Sequence, residues 1–329
     1  MSRPDAPVPQ RLGEVASTQD EAVRRLRAGE SAPFVLTARA QTAGRGRLGR
    51  RFASPAAGLY LTYAHRTSLP FARRTWIPHL AGLAALAAVD QVCGDSAAGA
   101  AAEPVALGLK WPNDLHTTDG RKLGGILVEG HGADHVLIGL GINVRGPVRD
   151  ADGAEVPGVA WLRGPGGLLP AAAAPVAEGG PLEGPEADPI AAEALVVQLG
   201  RALALALHDE LGALESAQGD AGASGLADRY SMTCLTLGRA VRVDPLGADG
   251  PSEATPATLH GTARAIDAHG GLVVDLAGGG RRIVGVGDVR HLRADDPVGP
   301  DPQAAPRTGR QDRQDQRDQT AEHEEDRTR

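Results

Sequence analysis

The chain has 329 residues, a formal net charge of −7 and only 3% aromatic residues. This length fits two folded domains with tails, the core must come from Leu, Val, Ile and Ala, and the acidic balance argues against a general nucleic-acid binder. The two cysteines, Cys93 and Cys234, form no metal or disulfide pattern, the N-terminus lacks an apolar signal core, and no run reaches the ~18 uninterrupted apolar residues of a membrane span, so a cytoplasmic protein without a membrane partner is expected.

Residues 1–10 are Pro-rich and read as a flexible N-terminus. Ser17 or Thr18 then caps a helix with Asp20 and Glu21 in its first turn. On the functional reading these hydroxyls also bind a polar ligand group beside the helix start. A strand over Phe34-Val35-Leu36 leads into Gly44-Arg45-Gly46-Arg47-Leu48-Gly49-Arg50-Arg51, and a second strand follows over 58–63. Glycine lets a backbone turn sharply and approach a ligand, and arginine offers planar donors that match phosphate and carboxylate. The stretch is neither a Walker loop nor a Rossmann turn. It reads as a clamp for an anionic small molecule, with a solvated loop or a basic nucleic-acid-binding arm as the alternatives.

Residues 75–92 carry Ile77, Leu80, Leu83, Ala84 and Val89 at helical spacing and predict a buried helix. An Ala-rich connector spans 95–104. Leu107–Leu115 begins as a strand and stops at Pro112. The turn at 117–120 then predicts a hairpin to a strand over 121–129, and 135–144 gives a third strand. Three successive strands with helices elsewhere predict an α+β domain with a mixed sheet. Residues 145–190 are rich in Gly, Pro and Ala and read as an irregular cover over a site, a flexible insertion, or both. A helix over 191–217 bears a Leu stripe for core packing. Short strands over 240–243, 261–266, 271–276 and 282–286 predict a compact barrel of about sixty residues ending near 287–293. Residues 294–329 have almost nothing apolar and are expected to be disordered.

Three motifs follow the arginine loop: 110–114 (Lys-Trp-Pro-Asn-Asp), 122–129 (Lys-Leu-Gly-Gly-Ile-Leu-Val-Glu) and 139–143 (Gly-Leu-Gly-Ile-Asn). Lys122 opens an apolar run, and Gly124-Gly125 beside it removes side chains where a ligand could lie on the sheet. Asn113 and Asp114 either end a turn or hold a metal ion or nucleotide group. Asn143, late in an apolar strand, needs hydrogen-bond partners.

Taken in order, these motifs and the arginine loop resemble the bacterial biotin–protein ligases over residues 11–293, in the form without an N-terminal DNA-binding domain. The resemblance implies a mixed-sheet catalytic domain of the biotin/lipoate ligase type over 11–229, with a low-complexity insertion at about 164–190. A small SH3-like β-barrel domain over 230–293 would follow. It implies that biotin's carboxylate attacks the α-phosphorus of ATP, and that the biotinyl-5′-AMP formed is passed to a lysine of a biotin carboxyl carrier domain. By position, Ser17, Thr18, Gln19, Gln41, Arg45, Gly46, Arg47, Lys122 and Gly124 would bind biotin. Arg47, Arg50, Phe52, Lys110, Asn113, Asp114, Lys122 and Asn143 would bind ATP. Lys122 and Arg47 would be catalytic, and Asp114 would orient Mg²⁺.

The chain departs from the family in two places. Ser17-Thr18 comes too early for a preceding DNA-binding domain, so neither DNA binding nor a repressor function is expected. Phe52 stands where some relatives have tryptophan, and Trp161 is a candidate to pack on adenine. A monomer or weak homodimer is expected. The competing readings are a lipoate or octanoyl transferase, which the 110–114 motif and the C-terminal barrel disfavour, and an RNA-binding module, which the acidity disfavours.

Overall fold

The computed structural model describes residues 6–50, 52, 54, 58–96, 106–149, 153–169, 176–177, 180–181, 187–245, 258–285 and 287–292. Seven strands form one mixed sheet: β1 (Gln10–Val15), β2 (Phe34–Gln41), β3 (Gly58–Arg66), β4 (Leu107–Lys110), β5 (Asp114–Thr117), β6 (Lys122–His131) and β7 (His135–Asn143). Their spatial order is β1-β2-β3-β7-β6-β5-β4, with β1 parallel to β2 and the other pairs antiparallel. This is the α+β architecture that the run of strands predicts.

Among the described residues, four α-helices accompany the sheet: α1 (Thr18–Arg27), α2 (Ile77–Ser96), α3 (Ala187–Ser216) and α4 (Leu226–Thr233). The expected stripe of α3 is buried at every position, from Leu195 through Leu199, Leu203, Leu207 and Leu211 to Leu214. It meets α2 and the β3 face bearing Leu59, Leu61 and Tyr63 in one large core. Each fully buried leucine there is worth about 1.5–3 kcal/mol. The stretch Phe71–Gly94 is long and apolar enough to cross a membrane by composition alone. Burial of α2 against α3 and the sheet accounts for that composition.

Strand β7 shows how the sheet makes room for a site. Val136, Ile138, Leu140 and Ile142 point into the large core. On the opposite face Leu137 joins Ala22, Phe34, Leu36 and Ala64 in a small core at α1. Gly139 and Gly141 continue that second face with no side chains, and β6 places Gly125 opposite Gly141. The α1 face of the sheet is therefore packed at one end and bare at the other.

The second sheet is antiparallel, with order β13-β12-β11-β10-β14. Its strands are β10 (Ala240–Pro245), β11 (Leu259–Ile266), β12 (Leu272–Leu276), β13 (Arg281–Val284) and β14 (Gly287–His291). Val241, Val243, Ala263, Leu272, Val274, Val284 and Val289 are buried inside it. This is the small SH3-like C-terminal sheet that the short strands predict.

Several elements differ from expectation. Strand β1 lies where a loose N-terminus is predicted to give way directly to helix α1, because an edge strand with a mostly exposed, polar pattern carries no apolar alternation. The run 107–115 splits into β4 and β5 about a tight turn at Trp111-Pro112-Asn113, so four strands stand where three are predicted. Helix α4 is unpredicted and holds Tyr230 in the core. Within the irregular region, residues 158–163 lie along the sheet: Lys122 N donates to Gly158 O at 2.8 Å, and Arg163 N to Val144 O at 2.7 Å. Two short strands, β8 (Val176–Ala177) and β9 (Gly180–Pro181), pair further on. The expected disordered tail lies outside the described residues.

Candidate functional site

A cleft of about 210 Å³ opens over the bare glycine face. Its walls come from the start of α1, the end of β2, the arginine loop, the β5–β6 hairpin, strand β7 and Asp288 of β14.

One end is neutral and built from buried hydrogen bonds. Ser17 caps α1 and its hydroxyl oxygen accepts from Gln19 N at 3.2 Å. That bond uses an acceptor lone pair and leaves the Ser17 proton for an acceptor in the cleft. The neighbouring hydroxyls run in series. Thr62 Oγ1 donates to Thr18 Oγ1 at 2.8 Å, and Thr18 Oγ1 donates to Gln41 Oε1 at 3.2 Å. Gln41 Oε1 also accepts from Thr18 N at 2.8 Å, and Gln41 Nε2 donates to Ser54 Oγ at 3.0 Å. With both ends of its amide committed, Gln41 has a fixed orientation. Gln19 Nε2 donates to Glu129 Oε2 at 2.8 Å, and Gln19 Oε1 lies where a Gly139 side chain would begin. Phe52 lies on Gly141 in the same way, its ring 2.5 Å from an ideal Cβ, and meets Tyr60 edge to face at 6.5 Å. Both glycines let these side chains approach the sheet closely.

The other end is cationic. Lys122 Nζ donates to Asp114 Oδ1 at 2.7 Å, and both line the cleft. Burial alone would raise the Asp114 carboxyl, but His116, 3.8 Å from Oδ2, and Lys122 outweigh it and hold the acid below its usual range. Above them stands the arginine loop, with a short 3₁₀ turn at Arg47–Gly49. Arg45 bridges Asp20 at 2.6 Å and Glu129 at 3.4 Å. Arg47 reaches down to Asn113 Oδ1 at 3.2 Å and across to Gly287 O at 3.4 Å. Burial pushes the Arg47 guanidinium down, and the charges of Asp288 and Asp114 oppose that. Arg50 pairs with Asp288. Asn113 in turn donates to Ile126 O at 2.7 Å, so it links the loop to β6.

Of the residues expected at a site, Ser17, Thr18, Gln19, Gln41, Arg45, Gly46, Arg47, Arg50, Phe52, Asn113, Asp114 and Lys122 all line the cleft. Gly124, Lys110 and Asn143 do not. An ideal Cβ at Gly124 would lie 2.5 Å from Gly141 O, so this glycine serves strand packing, and it is Gly125 that faces the cleft. Lys110 sits across from Asp114 on β4, where burial pushes its ammonium down. Asn143 ends β7 and donates to Ala160 O at 3.1 Å, holding the 158–163 segment. Trp161 is buried: its Nε1 donates to Pro165 O at 3.0 Å and its ring fills the space over Gly146. Asp114 has no neighbouring ligand set, for among the described residues no three His, Cys, Asp or Glu side chains converge as a metal cage would require. Sequence reasoning did not single out Gly139 and Gly141 individually. Their spacing of two within an apolar strand was the available signal.

Comparison with known proteins bears on this arrangement. Residues 12–143 match the biotin/lipoate A/B protein ligase family, and residues 256–292 match the biotin protein ligase C-terminal domain. The chain is 32% identical over 286 residues to the biotin–[acetyl-CoA-carboxylase] ligase of Mycobacterium tuberculosis, covering 86% of this chain and 88% of the relative. It is 36% identical over 151 residues to the ligase of the same name from Paracoccus denitrificans, covering 45% and 58%. The fold resembles the biotin protein ligase of Aquifex aeolicus in complex with biotin and ATP, with a TM-score of 0.57 and 21% identity over 87% of this chain and 99% of that one.

Proposed function

Because the chain belongs to the biotin/lipoate A/B protein ligase family and is a biotin–protein ligase by that kinship, we propose that it activates biotin as biotinyl-5′-AMP and transfers it to a lysine of a biotin carboxyl carrier domain. The observation that carries this is the polarity of the cleft. A fixed neutral wall of Ser17, Thr18 and Gln41 faces a cationic end of Lys122, Arg47 and Arg50. Such a cleft suits a substrate with an uncharged polar ring at one end and a carboxylate meeting a polyphosphate at the other.

In the first step the carboxylate oxygen attacks the α-phosphorus and pyrophosphate leaves. Two anions must approach, so cations have to offset their repulsion and the charge that builds at phosphorus. Lys122 is placed for this by Asp114, which holds Nζ at the cleft floor. Arg47 is tied beside this pair through its bond to Asn113. In the second step the acceptor amine attacks the acyl carbon of the mixed anhydride and AMP leaves with a proton lost from nitrogen. The arginine loop covers the intermediate against water between the steps. A Mg²⁺ ion bound with the nucleotide would offset phosphate charge, and Asp114, already paired with Lys122, would be the cleft carboxylate to orient it.

The test is AMP release assayed with biotin, ATP and a biotin carboxyl carrier domain, leaving out each in turn and replacing biotin by lipoate. Release that needs all three and fails with lipoate is expected. Equal turnover with lipoate would transfer the assignment to the lipoate branch of the family.

A further inference from the structure

Three of the arginine loop's cations, Arg45, Arg47 and Arg50, are each held by a different part of the protein. Arg45 is held by Asp20 of α1 and Glu129 of β6, and Arg47 by Asn113 with a backbone carbonyl. Arg50 is held by Asp288 of β14, in the C-terminal sheet. Asp288 and Asp114 both line the cleft. Asp114 is largely enclosed and committed to Lys122. The Arg50–Asp288 pair is open instead, with the arginine side chain 66% exposed and the carboxylate 32%. An ion pair this wet is weak and readily screened. A phosphate group offers arginine more charge and a bidentate partner in place of one carboxylate. Once Arg50 turns to phosphate, the Asp288 carboxylate remains at the wall and repels the same group.

We propose that Asp288 competes with the nucleotide's phosphates for Arg50, so that the C-terminal sheet sets nucleotide affinity and tethers the loop when no nucleotide is bound. The tether is the backbone contact of Arg47 with Gly287 plus this ion pair. Two adjacent residues of one strand therefore govern the lid. The inference rests on the ATP-dependent reading given above and concerns a residue that tunes the reaction without taking part in it.

The experiment compares wild type with Asp288→Asn, Asp288→Ala and Asp288→Glu. Binding of a non-hydrolysable ATP analogue is measured by calorimetry, and KM is determined separately for ATP and biotin. Asp288→Asn and Asp288→Ala should bind the analogue about 2–5-fold more tightly, the range set by one exposed charge pair. KM for ATP should fall with KM for biotin unchanged, and Asp288→Glu should behave as wild type. A second readout needs no substrate: limited trypsin digestion of the free protein should cut the arginine loop faster in the Asn and Ala variants. Weaker analogue binding in those variants would overturn the proposal, because the carboxylate would then be serving the nucleotide or its metal. Unchanged trypsin rates would overturn the tether. Wild type that binds no nucleotide would sink the ATP reading and the competition together, whereas normal wild-type binding with insensitive variants sinks the competition alone.

Discussion

Two of the contacts between the C-terminal sheet and the rest of the chain differ in kind. At the first, Trp76 Nε1 donates to Ala268 O at 2.8 Å and Trp111 Nε1 to Gly270 O at 2.9 Å, both from rings buried in the core. His79 and Tyr230 complete an aromatic cluster with centroids 4.5 Å apart, and Gly270, at φ +80°, passes so close to His79 that an ideal Cβ would lie 2.7 Å from the ring. At the second, Arg47 and Arg50 reach Gly287 and Asp288 through bonds that are long or open to water. The first contact is dry, geometrically specified and remote from the cleft. The second is wet, polar and part of the cleft. A dry junction fixes where the C-terminal sheet sits, and a wet one lets the loop move without undocking it. The 110–114 motif serves both ends: Trp111 secures the dry junction while Asn113 and Asp114 face the cleft.

If the dry junction carries the docking, Trp111→Ala should produce the largest loss. A fully buried aromatic with a satisfied N–H is worth about 3–5 kcal/mol on truncation, and denaturant titration should show it. A loss below ~1 kcal/mol would erase the distinction between the two contacts.

His79 gives the next effect. Burial lowers its pKa to about 4, against weaker opposing influences from the Thr75 and Gly270 backbone and the charge of Asp267. The folded form therefore resists a proton that the unfolded chain accepts below its ordinary value of about 6.5. The unfolded state binds more protons between those values, so stability is fully present above ~6.5 and falls as pH drops towards 4, by up to about 3 kcal/mol. His79→Phe should reduce the slope by His79's share and leave the share of His291, whose pKa burial also lowers to about 4. The check is the urea midpoint of both proteins at pH 7 and pH 5.

The smallest effect belongs to the wet contact. Arg50→Ala should change stability by no more than about 1 kcal/mol, as for other exposed ion pairs. A melting temperature that fell as far as in Trp111→Ala would show that the loop helps hold the C-terminal sheet in place.

The sequence signals that succeeded were local ones. The Leu stripe of α3, the cap at Ser17 and the glycine–arginine loop each follow from residues that are close together in the chain. Strand β1 was not legible because an exposed edge strand has no alternation to read. Asn143 and Gly124 carry residue types that suit a ligand, yet their neighbours across the sheet, Ala160 and the Gly141 carbonyl, take up those groups. Such neighbours come from elsewhere in the chain and cannot be read from local pattern. The same holds for Asp288, which lies 238 residues from Arg50.

Lys122 is the group proposed to offset the charge that builds between carboxylate and phosphate. Biotin-dependent exchange of labelled pyrophosphate into ATP reads the first step without any acceptor. In Lys122→Ala, with the fold verified by an unchanged denaturation profile near neutral pH, exchange should fall by about 10²-fold or more, the loss typical of one oxyanion donor. Exchange close to wild type would contradict the role given to this lysine.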